Sequence, residues 1–344
     1  MSAAIDFSAG YALAPDLAVV RRGDGTIQIG TEQPRRVLIA DAPPHAAGVL
    51  AHLAGAERLS DAIEQLGGDA EQWRRVFRRL AQRRLLEPVP ARSACPPHLT
   101  GEWMTLIHRL GRAAADRVLS ARADATVVIE GSGTVADAVG GLLDAAGIGR
   151  IHQWAGPDAP PPGPTPHAGP GGQAAQGVRH QRPATQMRPD VMVLAGPRPA
   201  TPGRLAALVS AVLPHLPVVV TNARLIVGPL VLPGRSTCVN CIDRHRQDAD
   251  PDRPTAPAAT PPRTSVLLSH SAAILAAAQV LDFVDAVRRP ASIGATLEQV
   301  AGSSHPQQRM WPMHEGCRCR DLAALPVSAS RADRTESAPA ESTI

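Results

Sequence analysis

The chain of 344 residues contains no lysine. Every fixed side-chain positive charge is therefore a guanidinium, which excludes a Schiff-base lysine, a phosphate-loop lysine and a lysine general base. Aromatic residues are only 2% of a chain that is 44% hydrophobic, so Ala, Val, Leu and Ile must fill the core. No stretch approaches the roughly 18 uninterrupted apolar residues of a membrane span. The N-terminal "MSAAIDFSAGYALAPDL" has no basic region followed by an apolar one, so it does not read as a secretory signal. The expectation is a cytoplasmic protein with no membrane partner. Cysteine is also scarce, five residues in all. In a reducing compartment paired cysteines read as metal ligands before disulfides. A net charge of +4 permits an acidic partner without demanding one.

The length suits two domains, since one core usually serves about 100–200 residues. Two β-rich runs flank Gly23-Asp24-Gly25 in "LAVVRRGDGTIQIG" (17–30), a strong hairpin signal, and "RRVLIA" (35–40) adds a third strand. Three helices are predicted next, over 45–53, 59–66 and 69–86. The last has Asp69 as N-cap and Trp73, Val76, Phe77, Leu80 and Leu85 or Leu86 on one face. Three strands and three helices make a small winged-helix-type module over 11–88. A linker, "EPVPARSACPP", closes it.

Beyond a helix over 102–121, residues 126–154 read as strand, glycine turn, helix and strand, a βαβ unit that opens an α/β domain over 102–321. Residues 155–189 and 249–263 are Pro-rich loops, and an apolar helix spans 265–287. Residues 322–344 read as a disordered tail.

Two constellations carry chemistry. Cys238 and Cys241 form a C-x-x-C and Cys317 and Cys319 a C-x-C. Four thiolates suit a closed structural zinc site; buried free thiols or a redox pair are the alternatives. Cys95 in the linker reads as an unpaired thiol. The second constellation is Gly131-Ser132-Gly133, between an apolar strand and a helix, where backbone N–H groups can approach a phosphate. The third glycine of that fingerprint is Ala136 here, and Trp154 stands where an acidic residue would hold a ribose. A turn that only packs helix on sheet competes with nucleotide binding. His245, His270, His305 and His314 lack a nucleophile or carboxylate at motif spacing, and surface or supporting roles suit them. Asp243 and Asp250 read as solvating or capping the helix after the first cysteine pair.

The glycine-turn βαβ unit, "GPLVLPGRSTCVNC" and the distal "HEGCRC" together resemble the ThiF-like superfamily of ubiquitin-activating-enzyme relatives. They resemble more closely its divergent members in thiazole/oxazole-modified microcin pathways, the leader-peptide-binding partners of a cyclodehydratase. The N-terminal module is similar to the PqqD-like peptide-recognition element. The resemblance implies a Rossmann-like domain with structural zinc and, in active members, ATP-dependent adenylation of a carboxylate. It also implies a lysine, which this chain lacks, and a "Thr-Asp-Asn" segment, where this chain has "GPRP" (196–199). The expectation is therefore a degenerate site, with Gly131 and Gly133 as a vestigial nucleotide turn, no catalytic residue and no bound ATP. Such a protein would bind the leader of a precursor peptide and present it to a partner modifying enzyme, with Arg74, Arg75 and Arg78 taking acidic side chains of the leader. Dimerisation is usual for the superfamily. The alternatives are an adenylyltransferase that uses arginine where relatives use lysine, and a winged-helix DNA-binding regulator; nucleic acid is not the expected partner.

Overall fold

The computed structural model describes residues 5–14, 17–31, 36–53, 58–89, 95–156, 178–179, 188–196, 198–253 and 264–324. The chain divides into two compact units, Met1–Val118 and Leu119–Ile344.

In the first unit, β2 (Val19–Arg21), β3 (Ile27–Ile29) and β4 (Val37–Ile39) form an antiparallel sheet. The β2–β3 turn is closed by Arg22 N–H donating to the Thr26 carbonyl at 2.8 Å, while Asp24 Oδ1 accepts from Thr26 N–H at 2.9 Å. Gly25 supplies the positive φ of +83° that this turn requires. Alternation sends Ile27, Ile29, Val37 and Ile39 inward onto α1 (Ala46–Ala51), α2 (Leu59–Leu66) and α3 (Ala70–Gln82). On α3, Trp73, Phe77 and Leu80 recur at helical spacing and are buried, each worth about 1.5–3 kcal/mol. Asp69 caps that helix, accepting from Glu71 N–H at 2.9 Å.

The second unit holds one mixed sheet in the order β13-β12-β11-β10-β9-β6-β7-β8. Its parallel part comprises β6 (Thr126–Glu130), β7 (Arg150–Trp154), β8 (Val178–Arg179), β9 (Val191–Leu194) and β10 (His215–Val220). The antiparallel part adds β11 (Arg224–Val227), β12 (Ala295–Val300) and β13 (Gln307–Met310). β6 and β9 are buried on both faces, as central parallel strands must be. Val127, Ile129, Val191 and Val193 face the core shared with α6 (Thr134–Ala145) and α9 (Val266–Asp285). Val128, Met192 and Leu194 face Leu208 of α7 (Pro202–Ser210) on the other side. Strand order reverses at β6, with β7 on one side and β9 on the other. In open α/β sheets, ligands bind in the crevice outside the carboxyl ends of the strands at such a reversal.

Among the described residues α9 is the one helix long and apolar enough to cross a membrane. Its apolarity has an interior use: Ala272, Ala273, Ala276, Ala277 and Val280 are buried in the core, where small side chains let α9 lie close on α6. At its end Asp285 receives a double hydrogen bond from Arg122 of α5 (Arg112–Asp124), both contacts at 2.8 Å.

Several expectations need correction. The third helix stops at Gln82 because Arg84 turns into the left-handed region at φ +57°, and Leu86 belongs to β5 (Leu86–Val89). β5 pairs antiparallel with β1 (Gly10–Leu13), so the start of the expected linker is strand. There Glu87 is buried and ion-paired with Arg112. The single helix over 102–121 is two, α4 (Thr100–Leu110) and α5, broken at Gly111 with φ +84°. The tail from 325, most of the loop over 155–189 and the Pro-rich segment over 254–263 lie outside the described residues.

Candidate functional site

The Gly131 turn sits where the strand order reverses. Gly131 follows β6 and packs directly on the backbone that follows β9: a Cβ there would lie 2.5 Å from the Ala195 carbonyl carbon and the Gly196 nitrogen. Only glycine fits, on steric grounds alone. Gly133, with φ +89°, precedes α6, and a Cβ on it would meet nothing within 4 Å among the described residues. The first N–H groups of α6 have no intrahelical partner, as at any helix start, and such groups favour an anion. Asp137 in the first turn of that helix is occupied by Gln153 of β7, whose side-chain amide donates to it at 2.6 Å.

Two side chains at this edge escaped the sequence reading. Glu130 closes β6, and Arg204, in the first turn of α7, donates to its carboxylate at 2.6, 2.9 and 3.2 Å. The two are 74 positions apart and belong to no motif, so only the fold brings them together. Arg198, exposed, lies in the segment that leads from β9 to α7.

The four cysteines of the two pairs converge, all buried. Cys238 is the N-cap of α8 (Val239–Ala249) and Cys241 lies in its first turn; Cys317 and Cys319 follow β13. Cys238 Sγ lies 3.7 Å from both Cys241 Sγ and Cys317 Sγ, and Cys241 Sγ lies 3.5 Å from Cys319 Sγ. Four sulfurs at about 2.3 Å around one tetrahedral ion stand about 3.75 Å apart, so these spacings suit a metal. No S–S bond joins them. Hydrogen bonds from Cys238 above all, aided by backbone N–H groups, hold the Cys241 thiol below its ordinary range, whereas burial and the neighbouring thiols push Cys319 up. Asn240 Nδ2 donates to Cys317 Sγ at 3.2 Å, and such polar contacts orient a ligating sulfur. Cys95 stands outside the cluster.

Beside these cysteines is a cavity of about 650 Å³, walled by α7, the start of α8 and the Cys317–Cys319 segment. His215 lines it and is fully buried. Its Nδ1 meets the Leu213 carbonyl at 2.9 Å, and Nε2 has no hydrogen-bond partner among the described residues. Burial lowers its pKa from 6.5 to about 4. His245 and His314 form a buttress nearby: His314 Nε2 meets Asp248 at 2.8 Å and His245 Nε2 meets the Pro312 carbonyl at 3.0 Å, tying α8 to the segment before Cys317. His270 is exposed on α9, meeting the Val266 carbonyl, and His305 is exposed in the turn before β13. Asp243 ion-pairs with Arg246, and Asp250 ends α8.

On α3, the arginines expected to meet a peptide already have acidic neighbours. Arg78 reaches Glu71 at 3.0 Å, Arg74 reaches it at 3.6 Å and Arg75 reaches Asp69 at 3.9 Å. All three remain substantially exposed, so these pairs are weak and exchangeable.

No protein-family model and no curated protein sequence matches the chain. Solved structures do. Escherichia coli MccB with ATP is 16% identical at a TM-score of 0.59, over 89% of this chain and 98% of MccB. The microcin C7 biosynthetic enzyme MccB in complex with N-formylated MccA gives 15% and 0.58, over 90% and 99%. PaaA gives 16% and 0.54, over 86% and 98%. At these identities the shared property is the fold. The expectation of a non-catalytic presenter of peptides is corrected by these similarities. The architecture extends over nearly the whole length of MccB, a microcin C7 biosynthetic enzyme whose structures hold ATP or MccA.

Proposed function

We propose that the chain is an ATP-dependent adenylyltransferase of the ThiF type, activating a carboxylate of a ribosomal peptide, with structural zinc held by Cys238, Cys241, Cys317 and Cys319. The observation that supports this reading is the glycine turn at the strand-order reversal, where Gly131 packs on the backbone after β9 and Gly133 precedes α6, a context in which backbone N–H groups can approach a phosphate. In the reaction a carboxylate oxygen of the peptide attacks the α-phosphorus of ATP. The new O–P bond forms as the bond to the β-phosphate oxygen breaks, and pyrophosphate leaves with the electron pair. The first N–H groups of α6 face the phosphates. The added negative charge is met by guanidinium groups in place of the absent lysine, and Arg198 stands nearest by sequence to that edge. The N-terminal unit, proposed as PqqD-like, receives the peptide, with Arg74, Arg75 and Arg78 exchanging their weak internal partners for its acidic side chains.

The test is ATP–pyrophosphate exchange with purified protein and a candidate precursor peptide. Peptide-dependent exchange is expected, and Arg198→Ala should reduce it about tenfold or more. Bound peptide without exchange, across a panel of precursors, would sink the proposal.

A further inference from the structure

The acid that holds a ribose in a sheet of this kind ordinarily closes the second strand, where this chain has Trp154. A carboxylate nevertheless stands at that place. Glu130, at the end of β6, is paired in register with Trp154. Its side chain lies beside Gly156, just past β7: a Cβ built on Gly156 would lie 3.4 Å from Glu130 Cγ and 3.7 Å from Oε1. Gly156, at φ +100°, leaves that approach open. The geometry points to Glu130 as the acceptor for the ribose hydroxyls of the nucleotide, supplied from the neighbouring strand and held in place by Arg204. This rests on the adenylating reading above and assigns the sugar subsite within it.

The hydrogen bonds favour this division of labour. Arg204 Nε and Nη2 both donate to Oε2, at 2.9 and 2.6 Å, and saturate it. Among the described residues Oε1, the oxygen beside Gly156, receives only the longer Nε contact at 3.2 Å. It keeps a lone pair for a hydroxyl. Glu130 is 11% exposed, enough to touch a ligand at the edge of the sheet yet shielded from competing water. A brace between α7 and the sheet would need the pair but would not need an unsaturated oxygen at the tail of β7.

Calorimetric binding of ATP, 2′-deoxyATP and 3′-deoxyATP to the full chain tests this without requiring turnover. The wild-type protein should bind ATP about tenfold or more tightly than at least one deoxy analogue, the value of a hydrogen bond to a charged acceptor. Glu130→Gln should weaken ATP and leave that analogue unchanged, so that the preference vanishes. Glu130→Asp retains the charge beside Arg204, guards against a folding defect, and should lose the preference too because the carboxylate is drawn back by one methylene. Equal binding of all three nucleotides by the wild type, or an undiminished preference in Glu130→Gln, would overturn the assignment. ATP bound with the expected preference but without pyrophosphate exchange would uphold the sugar subsite and overturn adenylation alone. No binding of ATP would overturn both.

Discussion

Removing the ion from the four-cysteine centre should loosen the C-terminal unit by an amount that can be worked from the chain. Cys241 and Cys319 are 78 positions apart. A permanent cross-link closing such a loop would remove about 4.5 kcal/mol of conformational entropy from the unfolded chain, and an ion that the unfolded chain releases contributes its binding free energy, which is larger. Strong chelation should therefore cost at least about 4–5 kcal/mol, or at least about 8 °C in Tm for a unit of this size. Cys241→Ser should do most of the same, because Cys241 contacts both Cys238 and Cys319. The assay is scanning calorimetry of native, chelated and Cys241→Ser protein, with elemental analysis of each sample. About one zinc per chain is expected in the first and none in the others. Affinity should fall on acidification, since each sulfur must shed its proton to bind. If the variant keeps its metal and its melting point, or if native protein without metal melts unchanged, the reasoning fails.

Two further perturbations follow from buried groups. Arg122→Met leaves Asp285 without its two 2.8 Å contacts and the Ala146 carbonyl without its donor, and should cost about 3–5 kcal/mol in urea unfolding. A companion Asp285→Asn change that fails to restore any of this would refute the pairing as the source. For His215, the folded value of about 4 lies below the ordinary 6.5, so between these pH values the unfolded chain binds the extra proton. Its contribution is intact above pH 6.5 and is lost as pH falls toward 4, by at most about 3 kcal/mol. Metal-free His215→Gln protein should show a flatter loss of stability between pH 6.5 and 4.5, and an unchanged slope would rule the residue out.

Legibility in the sequence followed the range of the interactions. Hairpin chemistry at Asp24-Gly25, the Asp69 cap and the period of Trp73, Phe77 and Leu80 are local, and each predicts its element. The cysteine pairs are legible because metal chemistry restricts both residue type and spacing. β1 and β5 are not, because they stabilise each other across more than seventy positions and "LEPV" carries a proline that argues against a strand; a two-stranded pair, all edge, tolerates it. The break at Gly111 is hidden by helical periodicity on either side, and only the backbone angle exposes it.

On the adenylating reading proposed above, the same distinction accounts for a site that looks stripped in sequence. Carrying a fingerprint over position by position assumes that each group is supplied by the same strand, so an aromatic at the end of β7 and a missing lysine both count as losses. Space imposes a weaker condition: a carboxylate must reach the tail of β7 and cations must face the phosphates, whatever element provides them. Glu130, in the role proposed for it, would meet the first condition from the adjacent strand. For the second, a chain restricted to arginine cannot copy a lysine's compact point charge, because a guanidinium is planar and seeks two acceptors at once. Arg204 has already found such an acceptor in Glu130, and the pair then acts as one oriented unit at the edge of the sheet. What stays fixed is the steric requirement at Gly131, since backbone packed on backbone at 2.5 Å from any Cβ leaves no alternative side chain.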